Sequence, residues 1–165
     1  MLLPESLKFH DQSKFEFHYI YFLPWKNQMV RAIEEAGGIV SCIPASNNLA
    51  ILLKARAVFR YVRDYNIQMI HAHLPWAGFI GRVVHGLTGV PLVYTEHNKQ
   101  ERYHFLTRWI NKMTFGWQSL VIAVSRDVSD SIDKNIRSAT PVRQVLNGVN
   151  IDFFQRSKAE GKLLR

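Results

Sequence analysis

The sequence is poor in the residues that staple a chain or thread it through a bilayer. A single cysteine, Cys42, stands among 165 residues, so neither an internal disulfide nor a cysteine-built zinc cage is available. That usage fits a reducing, cytoplasmic setting. Long apolar runs are missing too: stretches such as Leu49 to Leu53 stop at Lys54, well short of the roughly 20 residues a membrane-spanning helix needs. No basic-then-apolar signal segment opens the chain. Acidic side chains are few, 13 against 21 Lys and Arg, giving a formal charge of +8. The excess favours partners with phosphates or anionic headgroups, without choosing among nucleic acid, nucleotide and membrane surface. No nucleic-acid-binding motif accompanies it, and nucleic acid is not an expected partner. Repeats of solenoid length and blocks of like charge are also absent.

What the chain does have is the composition of one packed domain. It is 47% hydrophobic, with ten Phe, six Tyr and four Trp, and can bury enough apolar surface to offset chain entropy. Short β-branched or aromatic segments alternate with longer segments of helical period, the signature of stacked βαβ units. The pattern predicts strands over 15–23, 39–43, 67–73, 91–97, 119–125 and 141–146, most of them near-continuous apolar runs suited to a parallel sheet covered on both faces. Helices are predicted over 27–36, 48–65, 76–88, 104–117 and 126–136, two of them closed by glycine at Gly37 and Gly89. In the second, Ile51, Ala55, Val58, Val62 and Tyr65 share a side, flanked by Arg56, Arg60 and Arg63. In the fourth, Leu106, Trp109, Ile110, Met113 and Trp117 form a stripe spaced to bury one face against a sheet. Both read as core-covering helices. The domain is expected to occupy 1–154, with the polar, basic stretch 155–165 starting a linker.

In an open parallel sheet ligands gather outside the carboxyl ends of the strands, near the point where strand order reverses. Two strand ends carry chemistry there. The third ends in His71-Ala72-His73 and the fourth in Glu96-His97-Asn98; alternate strand residues share a face, so His71 and His73 project together and His97 can converge with them. Three histidines with Glu96 would make a zinc site and a metal-dependent hydrolase; the alternative is that one imidazole packs under a helix and only the one nearest the strand end is functional. Pro75 suits the first helical turn after His73, where unpaired N–H groups would seat an anion. Against that, Gly78 and Gly81 simply let the helix lie close on the sheet. Ser125 reads as a helix N-cap rather than a nucleophile, because Ala123-Val124-Ser125-Arg126 lacks the glycines of a nucleophile elbow. Arg126, a cation on a first helical turn, opposes the helix dipole unless it meets an anion. Clusters at Arg56, Arg60 and Arg63, and at Lys99, Arg102 and Arg108 with Tyr103, His104 and Phe105 between them, read either as solvated faces or as anion-seeking patches. On these readings the chain could be a non-catalytic nucleotide- or polyanion-binding module.

A fuller match emerges when the segments are read in order. His71-Ala72-His73, then Gly89-Val90-Pro91 leading to Tyr94-Thr95-Glu96-His97, then Ala123-Val124-Ser125, and finally Val145 to Asn150 with Phe153-Phe154, resemble the N-terminal domain of family 4 glycosyltransferases. The resemblance implies one half of a GT-B fold: an α/β, doubly wound parallel sheet in a Rossmann-like three-layer αβα arrangement. It implies a retaining transfer of a hexosyl group from a nucleotide-sugar to a glycan or lipid-linked acceptor, without a metal or other cofactor. This domain would form the acceptor side of the cleft. His97 maps to the family histidine that contacts the transferred sugar. His73 and Asn98 would line the same rim, and together with Glu96, Arg126, Asn147 and Gly148 they are the expected substrate-binding residues, the last two falling where the chain prepares to cross to a second domain. The family's first strand has no counterpart here, and Met1 to Pro4 looks like part of the helix after it, so a gap is expected in the middle of the sheet. The paired-glutamate signature of the donor domain is also missing. The resemblance therefore implies a fragment, inactive by itself. Together with the charge it suggests a peripheral contact at the inner face of a membrane.

Overall fold

A computed structural model describes residues 3–146 and Gly148. Six parallel strands alternate with helices, in the order α1 Leu3–Leu7, β1 His18–Tyr21, α2 Val30–Glu35, β2 Ile39–Cys42, α3 Asn48–Leu52, α4 Ala55–Asp64, β3 Ile70–His73, α5 Pro75–Thr88, β4 Leu92–Glu96, α6 Phe105–Thr114, β5 Leu120–Ala123, α7 Arg126–Asn135 and β6 Val142–Gln144. Short 3-10 turns at Gln100–Arg102 and Phe115–Trp117 bracket α6. Every expected strand is present, each shorter than its predicted segment.

The strands form two sheets. β1 pairs with β2, and β3, β4, β5 and β6 follow in order, all parallel. Among the described residues no ladder joins β1 to β3, so the interruption falls in the middle of the array, where the resemblance expects a further strand. What bridges it is side-chain packing. Ile20 of β1 and Ile70 of β3 both lie against one cluster built from Ala45, Ile51, Val58, Val62, Ile80 and Val84, contributed largely by α3, α4 and α5. A second cluster joins Ala72, Leu92, Tyr94, Val121 and Ala123 of the four-stranded sheet to Phe115 and to Val128 and Ile132 of α7.

Helices lie on both faces of the β1–β2 pair. Tyr61 of α4 reaches His18 and Ser41 on one face. On the other, a Cβ built on Gly38 would meet Ile33 of α2 at 2.7 Å and Tyr19 at 2.9 Å. The arrangement is the doubly wound α/β fold. Close approach explains the glycines of α5 as well: a Cβ on Gly78 would sit 2.8 Å from the Tyr94 ring, and one on Gly81 2.9 Å from Leu92. The helix needs both to touch the sheet. Pro75 occupies its first turn, and Gly89 closes it at φ 73° in the left-handed region.

Two helical expectations are corrected. The helix over 48–65 is broken at Leu53 and Lys54, whose N–H groups bond back to Ala50 and Ile51 at 3.2 and 2.8 Å. This tight turn re-aims the chain so that Ile51 and the Val58–Val62 stripe enter the same cluster. The stripe of α6 does not cover the core at all. Trp109, Met113 and Trp117 are 60%, 62% and 56% exposed, and the residue α6 buries is Asn111. Polar groups beneath α6, described below, claim its inner face. Asn147 and the expected linker over 155–165 lie outside the described residues.

Candidate functional site

The period-two alternation of strands sorts the chemistry at the ends of β3 and β4 onto opposite faces. With His71 opposite Val93 and His73 opposite Thr95, the histidines and Thr95 share one face, while Ala72, Tyr94 and Glu96 point to the other. On the first face the imidazoles come together. The rings of His71 and His73 are 4.3 Å apart and those of His73 and His97 5.4 Å. His73 Nδ1 and His97 Nε2 share a hydrogen bond of 3.1 Å, and His71 Nε2 bonds Thr95 Oγ1 at 2.7 Å.

This grouping keeps the rings uncharged. Burial, then the neighbouring His71 and His97, press His73 down to about 4. Burial, then His97, also lowers His71. Burial lowers His97, opposed by the carboxylate of Glu96. At neutral pH the cluster is therefore three neutral imidazoles, each able to donate from one nitrogen and accept at the other.

On the second face Glu96 is fully buried. Its carboxylate accepts hydrogen bonds from Tyr94 Oη at 2.9 Å, Gln100 Nε2 at 2.8 Å and the hydroxyl of Tyr103. It also accepts from the backbone N–H groups of His97 at 3.0 Å and Asn98 at 3.2 Å. The expectation that Glu96 binds substrate is corrected: its side chain is fully buried and its oxygens are taken up by these internal donors, two of them the N–H groups of His97 and Asn98, which hold the chain where His97 leaves the strand. The zinc arrangement of three histidines with Glu96 is not formed, since alternation sends the carboxylate to the far side. Among the described residues no group of three or more His, Cys, Asp and Glu side chains is arranged to hold a metal ion.

The sequence reading missed what supports Glu96. Gln100 accepts from Asn111 Nδ2 at 2.9 Å, and Asn111 accepts from Arg82 Nη2 at 2.8 Å. Arg82, only 1% exposed, also donates to Gln118 at 2.8 Å and Thr114 at 2.7 Å. Its guanidinium carbon lies 5.0 to 5.6 Å from the ring centroids of Phe79, Tyr94 and Phe115. Desolvation lowers it to about 10, opposed by Tyr94 and Glu96, so it stays charged at neutral pH. Two primary amides thus connect a buried cation to a buried carboxylate, while the Nε2 of Gln118 has no hydrogen-bond partner among the described residues. A signal existed: Arg82 is the lone Lys, Arg, Asp or Glu in the apolar segment Pro75 to Thr88. Nothing comparable marks Gln100 or Asn111.

Other expected residues take up separate places. Asn98 is half-buried at the β4 end, its amide 3.5 Å from the Tyr103 hydroxyl. Ser125 caps α7, accepting from the Val128 N–H at 3.3 Å. Arg126 stands on the first turn of α7, largely exposed, 4.0 Å from Asp130. Next to it Lys99 pairs with Asp127 at 2.7 Å, which lowers the Asp127 carboxyl. Ser131 and Asn135 hold Glu101 down to about 2, tying the turn after β4 to α7. Gly148 is exposed, with no atom of the described residues in reach of an added Cβ.

The fold and site define a Rossmann-like lobe of the GT-B type, its polar cluster at the strand ends. The chain superposes on a glycosyltransferase from Rickettsia africae ESF-5 with a TM-score of 0.69 at 15% identity, covering 93% of this chain and 41% of that one. For sucrose-phosphate synthase from Thermosynechococcus elongatus the TM-score is 0.59 at 15% identity, over 92% of this chain and 100% of that one. For Anabaena HepE in complex with UDP and glucose it is 0.62 at 14% identity, over 83% and 45%. At these identities the likeness is one of fold. No curated protein matches the chain in sequence. The profile of Glycosyltransferase Family 4 matches residues 14–153, and the chain belongs to that family. It spans less than half of the Rickettsia and Anabaena chains.

Proposed function

We propose that this chain forms the acceptor-side lobe of an enzyme that transfers a hexosyl group, with retention, from a nucleotide-sugar to a glycan or lipid-linked acceptor. Membership of the family supports transfer chemistry. The partial coverage of the Rickettsia and Anabaena chains fits a donor-binding lobe outside these 165 residues, and the UDP and glucose of the Anabaena complex are the kind of donor it would hold. On this reading the 165-residue chain alone transfers no sugar above background.

The observation that carries the proposal is His97: neutral, half-buried, held from behind by Glu96 through its backbone N–H and from the side by His73. An imidazole fixed in this way can donate to, or accept from, a sugar hydroxyl without reorganising. Such a hydrogen bond, strengthening as positive charge develops on the sugar ring, lowers the barrier instead of tightening ground-state binding. The leaving diphosphate takes the proton of the acceptor hydroxyl as the new glycosidic bond forms. His73 and Asn98 flank the reacting sugar, Arg126 meets an anionic part of donor or acceptor, and Asn147 and Gly148 contribute from the segment toward the second lobe.

The test is His97→Ala in an enzyme form that includes a donor-binding lobe. Turnover should fall by about 10²-fold or more while donor affinity changes little. A matching loss in affinity with turnover intact would remove His97 from the chemistry.

A further inference from the structure

The feature that neither the fold nor the proposed transfer uses is the outer face of α6. Along Phe105–Thr114 the large apolar side chains recur at i, i+4 and i+8 as Phe105, Trp109 and Met113, with Leu106 beside them, and Trp117 extends the row into the following 3-10 turn. All five are exposed, Phe105 at 70%. The face is apolar because its opposite is not: Asn111 and Thr114 are turned inward to serve Arg82. Cations adjoin the apolar row, Arg108 and Lys112 on α6 and Arg102 on the turn before it, while α6 has no acidic residue. None of the three cations is in an ion pair among the described residues.

We infer that α6 is a membrane-docking helix, lying in the interface of an anionic lipid bilayer with Phe105, Trp109, Met113 and Trp117 among the headgroups and upper acyl chains, and Arg102, Arg108 and Lys112 on lipid phosphates. The pairing of an aromatic and aliphatic face with adjoining basic residues is what an interfacial helix requires. A bilayer accepts a flat apolar row without a matching pocket, and its anionic surface complements these cations. A second copy of the chain fits worse, since apposed α6 helices would bring four cations together, Arg108 and Lys112 from each, without an acid on either helix. The inference goes beyond the proposed transfer and stands on α6 alone.

The experiment is flotation of the 165-residue chain with vesicles of phosphatidylcholine alone, or with about a third of the lipid replaced by phosphatidylglycerol. The chain should float with the anionic vesicles, less so as salt rises, and remain behind with the neutral ones. Two double variants, Trp109→Ser with Met113→Ser and Arg108→Glu with Lys112→Glu, should each weaken binding about tenfold or more, with circular dichroism and melting unchanged because all four positions are exposed. Absence of binding, or equal binding by parent and both variants, would overturn the inference. So would a concentration-dependent dimer, abolished by the apolar variant, in a protein that leaves vesicles untouched.

Discussion

Helices α4 and α6 are each ten residues long and each packs against α5, but from opposite relations to water. α4 sends Val58 and Val62 inward and leaves Arg56, Arg60 and Arg63 exposed; α6 sends Asn111 inward and leaves Phe105, Trp109 and Met113 exposed. The difference lies in what α5 offers each of them. Toward α4 it presents Ile80 and Val84, an apolar surface that rewards burying valine. Toward α6 it presents the guanidinium of Arg82, which once desolvated must have acceptors, because a buried charge without partners costs far more than an exposed tryptophan gains by burial. The orientation of an amphipathic helix is therefore decided by the polarity of the surface beneath it.

The sharpest way to break this comparison is to remove the cation. Arg82→Ala should destabilise the chain by about 3–5 kcal/mol, the sum of a cavity under three aromatic rings and of acceptors on Asn111, Thr114 and Gln118 left without a donor. Arg82→Met restores most of the volume but none of the donors, and should recover only part of the loss. Urea denaturation of both, with Arg60→Ala of α4 as the exposed counterpart, reads the difference directly. If Arg60→Ala costs as much as Arg82→Ala, the buried cation is not what organises the α6 side.

Ionisable groups should also make the strand-end region the acid-sensitive part of the molecule. His73 has an ordinary value of 6.5 in the unfolded chain and about 4 in the fold. Between those values the unfolded state binds more protons than the folded one, so the stability contributed by the neutral ring is fully present above about pH 6.5 and is lost as pH falls toward 4. His71 and His97 shift in the same direction. The urea midpoint should fall on going from pH 7 to pH 4.5, and His73→Gln should flatten that slope. A slope unchanged by His73→Gln would mean that the imidazole cluster is not closed to protons.

Much of this arrangement was legible in the sequence, and the reasons it stopped being legible are specific. The strands could be read because apolar runs such as Leu92–Tyr94 have few other uses, and the convergence of His71, His73 and His97 followed from period-two alternation and parallel ends. Glu96 was placed on the wrong side of the same strand. The rule that grouped the histidines also separates Glu96 from them, and the adjacency of Glu96 and His97 in the chain concealed it. Arg82, Gln100 and Asn111 could not be joined from sequence, because their contacts span 29 and 11 residues of chain and depend on how α5 and α6 cross. The period of α6 gave a stripe but not its direction, which depends on Arg82, a residue of another helix.

That dependence yields the smallest effect expected, and a near-zero value is informative here. If the α6 stripe were core, Trp109→Ser would be among the most damaging substitutions in the chain, since truncating a buried tryptophan typically costs about 3–5 kcal/mol. With its indole mostly in water, the change should stay within about 0.5 kcal/mol. Val62→Ala, on the inward stripe of α4, removes far fewer atoms yet should cost about 2 kcal/mol. Measured side by side by urea denaturation, the smaller deletion should therefore do the greater harm, an inversion that side-chain size alone cannot produce and that follows only if α4 faces the core and α6 faces away.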